Sequence, residues 1–152
     1  MTNYQIDNID KRILRDLQKD SRKSYEEIAR ELDVSGGTIH VRIKKLRDLG
    51  IIEGSKININ YRKLGYNICA FIGINLKNFD DYQSALKKLK DIPEILEIHY
   101  TTGQYSMFTK VIAKDTNDLY NLLARKLQDI KEIQSTQTIT SLDIPVNRDV
   151  SL

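Results

Sequence analysis

The stretch Ser24–Gly50, SYEEIARELDVSGGTIHVRIKKLRDLG, decides the fold of the first part of this 152-residue chain. Ser24 and Glu27 have the spacing of a capping box, which predicts a short helix beginning after Ser24. Ser35 has the character of a second N-cap, and the helix after it is expected to end before Gly50, which suits a left-handed C-cap. Two short helices separated by a turn of about three residues are typical of a helix-turn-helix unit, which binds double-stranded DNA.

A further helix is predicted upstream, where Asp7 can act as the N-cap. Its apolar residues recur at helical spacing and are Ile9, Ile13, Leu14 and Leu17. The positive charge of the chain lies in the same region. Residues 1–63 contain 14 Lys and Arg against 10 Asp and Glu, a balance of +4, whereas residues 64–152 have a balance of −1. Such an excess indicates a nucleic-acid partner only if the basic side chains share one face.

The helix after Ser35 can be tested for such a face. At about 100° per residue, its apolar residues form one stripe and most other side chains point away from it. On the outward face, Lys and His suit phosphates and bases, Val suits a thymine methyl group, and glycine lets the backbone approach DNA. A solvated basic helix face is the alternative. The predicted DNA contacts are Ser35, Gly37, Thr38, His40, Val41, Arg42, Lys44 and Lys45.

The small number of cysteines and histidines and the short apolar runs exclude several classes of protein. The single Cys69 rules out an intramolecular disulfide and indicates a reducing compartment. Together with His40 and His99 it cannot form a zinc cluster, so neither a metal nor a cofactor is expected. Apolar runs fall far short of the roughly 20 residues of a membrane helix, and the first residues lack signal-peptide features. We expect a cytoplasmic protein without membrane contact.

The remainder of the chain predicts a second unit. Alternating apolar and polar residues between Ile51 and Asn60 predict a short strand, or wing, that leads out of the first unit. The elements that follow have the order β-α-β-β-α-β, which is typical of a ferredoxin-like domain. The predicted strands are Ile68–Leu76, Ile95–Tyr100, Tyr105–Ala113 and Ile133–Leu142, and the predicted helices are Asp80–Lys90 and Asn117–Leu127.

Several stretches resemble the Lrp/AsnC family of feast/famine transcription regulators, and the similarity covers nearly the whole chain. They are Ile6–Leu14, Ser35–Leu46, Gly50–Ile52, Leu64–Tyr66, Tyr100–Phe108 and Ile133–Thr138. The resemblance implies an α+β protein with three parts: an N-terminal winged helix-turn-helix domain (1–53), a linker strand (54–65) and a C-terminal ferredoxin-like, ACT-like (RAM) effector domain (66–152). It also implies homodimers that assemble further, typically to octamers, with small effectors bound between dimers.

The resemblance further implies an amino-acid site between the turn that precedes the third strand and the start of the last strand. Many relatives have acidic residues where this chain has Gln104 and Ser106. A neutral, hydrogen-bonding pocket suits an uncharged amide side chain, and segments 37–42, 71–74 and 132–136 are similar to asparagine-responsive members, so asparagine is the expected effector. A plain hairpin turn is the alternative. The implied ligand contacts are Tyr100, Thr101, Thr102, Gly103, Gln104, Tyr105, Ser106, Gln134, Ser135, Thr136, Gln137 and Thr138.

The sequence thus predicts a regulator that binds specific DNA and whose activity an amino acid modulates. Two alternatives stay open, an architectural DNA-binding protein without effector control and an amino-acid-binding regulatory subunit of an enzyme. The chain itself is not expected to be an enzyme, because it offers neither a nucleophile–base pair nor a glycine-rich phosphate loop.

Overall fold

The computed structural model describes residues 5–152, and the contacts divide the chain into two compact units. The first unit runs to Asn58 and includes Val146–Leu152, and the second is Ile59–Pro145. The division after Asn58 falls inside the predicted linker 54–65. By their contacts, the last seven residues group with the first unit, where the Arg15 side chain donates to the carbonyl oxygen of Leu152, although their place in the predicted effector domain 66–152 stays a prediction. None of the described helices is long and apolar enough to span a membrane.

Three helices build the first unit, as predicted: α1 (Asn8–Lys19), α2 (Tyr25–Glu31) and α3 (Gly36–Asp48). The predicted N-caps Asp7, Ser24 and Ser35 each accept a hydrogen bond from the backbone N–H three residues further on. Gly50 follows the end of α3 with a φ of +70°, as a left-handed C-cap requires. The inward side chains of the three helices form one core, whose buried members are Ile13, Ile28, Ala29, Ile39 and Ile43.

The segment after α3 differs from the prediction. Residues 52–60 form no strand in the described chain, and a single turn of 3₁₀ helix follows at Tyr61–Leu64. Ile57 and Ile59, whose alternation predicted a wing or linker strand, are 81% and 44% exposed. A strand persists only where a neighbouring strand accepts its hydrogen bonds, and no described strand pairs with this segment. The alternation of apolar and polar residues therefore predicted a strand that the described chain does not form.

The second unit has the predicted order of elements. Its strands are β1 (Ile68–Leu76), β2 (Ile95–Tyr100), β3 (Met107–Ala113) and β4 (Ile133–Ser141), and its helices are α4 (Tyr82–Lys90) and α5 (Thr116–Asn121), which continues as a π-helix over Leu122–Leu127. A turn of 3₁₀ helix at Phe79–Asp81 occupies the predicted start of α4. Strand β3 begins two residues later than predicted because the backbone of Tyr105 and Ser106 belongs to the preceding loop.

The four strands form one antiparallel sheet in the order β2-β3-β1-β4. One face of the sheet is packed against α4 and α5, and its central buried residues include Ala70, Ile72, Ile74, Met107 and Val111. The alternate residues of the same strands point to the opposite face, called the open face below. Register places Phe71 between Lys110 and Ile139 on the open face, and Gly73 between Phe108 and Gln137.

Candidate functional site

The exposed face of α3 is the first candidate site. Ile39, Ile43 and Leu46 are buried, as the helical spacing predicts. His40, Lys44 and Lys45 are exposed, and Val41 is 66% exposed. Charged, aromatic and apolar groups are thus available on one helix surface, which is the combination that DNA phosphates and base edges require.

The N-terminal end of α3 is held by two hydroxyl groups. Ser35 Oγ accepts from the backbone N–H of Thr38 at 3.1 Å and lies 2.9 Å from Thr38 Oγ1. Gly37 is exposed, and a Cβ built on it would have only Ser35 Oγ at 3.8 Å as a neighbour. The backbone at this end of the helix is therefore open to an approaching molecule.

Arg42 is the predicted DNA contact whose environment differs most from the expectation. Its Nη1 donates to Asp7 Oδ2 at 2.7 Å and to Asp10 Oδ1 at 2.9 Å. The Asp10 side chain is completely buried, and that of Arg42 is 24% exposed. Backbone hydrogen bonding from Asp10, followed by the Arg42 contact, holds the pKa of Asp7 below its usual value. The guanidinium thus faces α1.

One residue beside this surface, Tyr25, was not predicted from the sequence. The ring of Tyr25, the first residue of α2, lies 6.0 Å from the ring of His40. Its hydroxyl accepts from Arg47 Nη2 at 3.3 Å. Tyr25 therefore connects α2 to the exposed face of α3. Hydrophobic periodicity does not show which way a tyrosine at the first position of a helix points, so only the packing places Tyr25 beside α3.

The second candidate site surrounds the loop of residues 101–106, called the 101–106 loop below. Thr101 N donates to the Ser106 carbonyl at 3.2 Å, and Thr101 Oγ1 donates to the Tyr105 carbonyl at 2.8 Å. Ser106 N donates to the carbonyl of Ile74 at 2.9 Å, so the loop is fixed to the central strand β1. Gly103 has a φ of +106°, which glycine adopts without strain.

Tyr105 spans the open face from this loop to the last strand. Its ring lies over Gly73, so close that a Cβ on Gly73 would be 2.6 Å from two ring atoms. Its hydroxyl donates to Gln137 Oε1 on β4. On the same strand, Ser135 Oγ accepts from Asn75 Nδ2 at 3.3 Å. The structure therefore brings together part of the predicted loop and part of the predicted opposite wall.

The remaining predicted ligand contacts do not converge within one chain. Tyr100 is on the helix-packed side of the sheet, where its ring lies 4.5 Å from that of Tyr82. Thr136 and Thr138 are paired with Ile74 and Ile72, so they belong to that side too. Of the other four, Thr102, Gly103 and Gln104 are exposed, and Gln134 lies at the irregularity in the pairing of β4. Sequence position alone does not show that the set divides between the two sides of the sheet.

The open face is apolar at its centre and charged toward β2. The rings of Phe71 and Phe108 are stacked at 5.7 Å, and Ile139 is 46% exposed. Glu97 on β2 accepts from Lys110 Nζ at 3.1 Å and lies 3.3 Å from His99 Nε2. The Lys110 contact, with that of His99, lowers the pKa of Glu97. An exposed apolar centre with a polar border is typical of an interaction surface.

Comparison with known proteins gives the class to which the two units belong. Residues 6–47 match the AsnC-type helix-turn-helix domain, and residues 69–150 match the Lrp/AsnC ligand-binding domain. A DNA-binding unit joined to a ligand-binding unit defines a ligand-responsive transcription regulator. The chain belongs to the Lrp/AsnC family, which confirms the predicted family, the prediction of a DNA-binding regulator with an amino-acid-binding domain, and the prediction that the chain is not an enzyme.

Individual relatives agree with this assignment over the full length. Regulatory protein AsnC of Haemophilus influenzae is 50% identical over 147 residues, which are 97% of this chain and 98% of that protein. Regulatory protein AsnC of Escherichia coli K12 is 46% identical over 150 residues, 99% of each chain. The solved structure of E. coli AsnC has a TM-score of 0.95 at 44% identity and covers 98% of this chain and 100% of that one.

A more distant solved structure shares only the fold. It is a transcriptional regulator from Neisseria meningitidis in complex with L-Met, with a TM-score of 0.89 at 22% identity, covering 97% of this chain and 96% of that one. The predicted α+β fold class is confirmed by these neighbours, and the strand-like wing is the part that the described chain lacks.

Proposed function

We propose that this regulator senses asparagine with the 101–106 loop and the adjoining part of β4, and that α3 reads the DNA sequence. The observation that carries the effector assignment is the uncharged, hydrogen-bonding character of a loop fixed to the sheet. All six of its residues are uncharged. The high identity to proteins named AsnC supports the same choice.

Free polar groups in the loop suit the parts of an amino acid. Among the described residues, the Thr102 and Gln104 side chains have no hydrogen-bond partner, so they are available to a carboxylate or an amide. Gly103 allows a ligand to approach the backbone closely. A lysine or arginine ligand finds no carboxylate in the loop, and such a cationic side chain is disfavoured there.

Calorimetric titration with each of the twenty amino acids tests the effector. We expect heat of binding with asparagine and none with lysine or arginine. Gln104→Glu is expected to weaken asparagine binding about tenfold or more and to admit a cationic amino acid, because it adds a carboxylate to the loop. Gln128→Glu, the same change outside the loop, is the control and is expected to keep the wild-type preference. Heat with an apolar amino acid and none with asparagine contradicts the proposal.

The exposed residues of α3 divide into two roles in this proposal. Lys44 and Lys45 supply contacts to phosphates, which are independent of sequence and weaken with salt. Thr38, His40 and Val41 contact base edges, and Ser35 and Gly37 let the helix N-terminus approach the backbone of the DNA. Arg42 was predicted as a further contact, but its guanidinium is paired with Asp7 and Asp10.

Binding to a duplex selected in vitro and to a random duplex tests the two roles. Lys44→Met is expected to weaken both about equally, whereas Thr38→Ala and His40→Ala are expected to weaken the selected duplex more, by about 1–3 kcal/mol. Lys131→Met removes an exposed lysine of the second unit and is expected to leave both affinities unchanged. Equal losses on both duplexes for all three α3 variants overturn the division.

We further propose that the effector site is completed by a second copy of the chain, in a dimer that assembles further, to an octamer. The predicted contacts divide between two sides of one sheet, so a single chain does not enclose a ligand with them. The stacked Phe71 and Phe108 on the open face offer an apolar surface for a like copy. A DNA-binding function and a Cys69 that forms no disulfide bond are both consistent with a cytoplasmic protein.

A further inference from the structure

Arg42 lies on α3 between the residues proposed to contact DNA, yet its charge is directed away from them. Its Nη1 bridges Asp7 and Asp10 at 2.7 and 2.9 Å. Asp10 is fully buried beneath it. A buried carboxylate that loses its cation is strongly unfavourable, so the guanidinium is held where it is and does not swing out to a phosphate.

The two carboxylates that hold Arg42 also form the beginning of α1. Asp7 Oδ1 accepts from the backbone N–H of Asp10 at 2.9 Å, and Asp10 Oδ2 accepts from the backbone N–H of Asp7 at 3.2 Å. Each carboxylate thus uses one oxygen for the helix cap and the other for Arg42. The cap of α1 and the middle of α3 are therefore one hydrogen-bonded unit, which fixes the rotation of α3 about its own axis.

Formal charge gives a second argument. The guanidinium of Arg42 is already paired with two carboxylates, so it attracts a phosphate less than an exposed lysine such as Lys44 does. Asp7 is 48% exposed and lines the same groove as Thr38 and Val41. The half-exposed Asp7 carboxylate repels a DNA phosphate, so the benefit of Arg42 to DNA binding is expected to come through geometry.

We infer that Arg42 is a positioning residue, which sets the orientation of α3 through Asp7 and Asp10 and supplies no phosphate contact. The inference deepens the proposed reading of DNA by α3 and rests on it. A tilted or rotated α3 places Thr38 and His40 wrongly for base edges while Lys44 can still find a phosphate. Loss of the cluster is thus expected to reduce discrimination between sequences more than it reduces affinity for random DNA.

Asp7→Asn provides a test in which the two interpretations predict different ratios of affinity for the selected and the random duplex. Asparagine caps a helix as well as aspartate does, so the cap to Asp10 N is retained while an amide N–H₂ replaces the oxygen that accepts from Arg42. If Arg42 positions α3, the ratio of affinities for the selected and random duplexes falls about tenfold. If Arg42 is a phosphate contact restrained by Asp7, freeing it and removing a negative charge tightens both duplexes with no change in the ratio.

The salt dependence of binding between 50 and 200 mM NaCl gives the second measurement. A lost phosphate contact lowers the slope of log K against log salt by about 0.9 for each copy of the helix on the duplex. We expect that reduction for Lys44→Met and an unchanged slope for Arg42→Met, whose affinity for the selected duplex still falls about tenfold. An Arg42→Met slope reduced as much as that of Lys44→Met overturns the inference, as does an Asp7→Asn variant that binds both duplexes more tightly at an unchanged ratio of affinities.

The controls separate this inference from the proposed function. Selection and binding of a duplex by the wild-type chain test DNA reading independently of any variant. Far-UV circular dichroism of each variant reports whether the helices persist. Should Arg42→Met fail to fold because Asp10 is left buried without its cation, Asp7→Asn, at a half-exposed position, decides between positioning and phosphate contact by itself.

Discussion

Gly73 shows how one missing side chain shapes the candidate effector site. It is buried in the middle of β1, and the ring of Tyr105 occupies the space above it. A Cβ there would be 2.6–2.7 Å from three ring atoms, including the Cγ next to the Tyr105 backbone, so a small shift of the ring tip would not relieve the clash. Glycine at this position therefore lets Tyr105 lie flat across the sheet and reach Gln137.

Gly73→Ala is expected to destabilise the protein by about 1–3 kcal/mol, which is the usual range for overpacking in a closely packed region. In a Tyr105→Ala background the same change is expected to cost much less, because the clashing ring is absent. Urea unfolding of the two single variants and the double variant measures the coupling. Gly54→Ala is the control, since a Cβ there meets nothing within 4 Å. Equal costs in both backgrounds would contradict this account of Gly73.

At the scale of elements, an ion pair attaches α4 to the start of β4. Lys88 Nζ donates to both carboxylate oxygens of Glu132, at 2.6 and 2.7 Å, and Ser84 Oγ donates to Oε1 at 2.6 Å. These contacts, with that of Lys88 the largest, lower the pKa of Glu132 to about 2. Glu132 comes directly before β4, so the attachment supports the strand that carries Gln134–Thr138.

The lowered pKa predicts how the stability of this attachment depends on pH. Because the folded-state pKa is below the ordinary glutamate value of 4.5, the stabilisation is complete above pH 4.5 and is lost as the pH falls toward 2. Glu132→Gln is therefore expected to lower the free energy of unfolding at pH 6 and to differ progressively less from wild type between pH 4.5 and 2.

Urea unfolding at pH 6, 4 and 3 measures this difference. Asp129→Asn, which removes an exposed carboxylate that forms no ion pair within residues 5–152, is the control and should show a nearly constant difference from wild type. A Glu132→Gln difference that is the same at every pH would show that the carboxylate charge does not support β4.

At the scale of the whole molecule, the open face supports the proposal that a second copy completes the effector site. Helices cover only one side of the four-stranded sheet, and stacked phenylalanines and a partly exposed Ile139 occupy the other. Burial of such a surface against a like copy contributes about 25 cal/mol for each Å² of apolar area removed from water. Association would also bring two helix-turn-helix units onto one DNA molecule, with half-sites about one helical turn apart.

Phe108→Asp is expected to reduce the assembly to single chains at micromolar concentration, because it places a charge in the apolar centre of the proposed interface. Sedimentation equilibrium measures the mass, and we expect asparagine binding to fall at least tenfold with it. Phe79→Asp, on a side chain that is 82% exposed outside the sheet, is the matched control. A Phe108→Asp chain with the wild-type mass would exclude the open face as the interface.

Local sequence determined most of the secondary structure of this protein. Asp7, Ser24 and Ser35 cap α1, α2 and α3 as predicted, and β1 and β2 have their predicted bounds. Caps and hydrophobic periodicity act over two to four residues, so they can be recognised without knowledge of the fold. The exposed residues of α3 and the uncharged character of the 101–106 loop can also be recognised from local sequence. They gave the candidate DNA and effector residues.

Tertiary structure alone decided where those side chains point. Arg42 turns to Asp7 across 35 residues of sequence, and Tyr105 reaches Gln137 across 32. The predicted strand at 54–60 is absent because no described strand accepts its hydrogen bonds, whatever its alternation. Partners distant in sequence are brought together by packing and sheet register, which no local pattern encodes. The sequence by itself therefore determined the elements and the class of protein, whereas the fold decided which charged and aromatic groups remain free to bind DNA and effector.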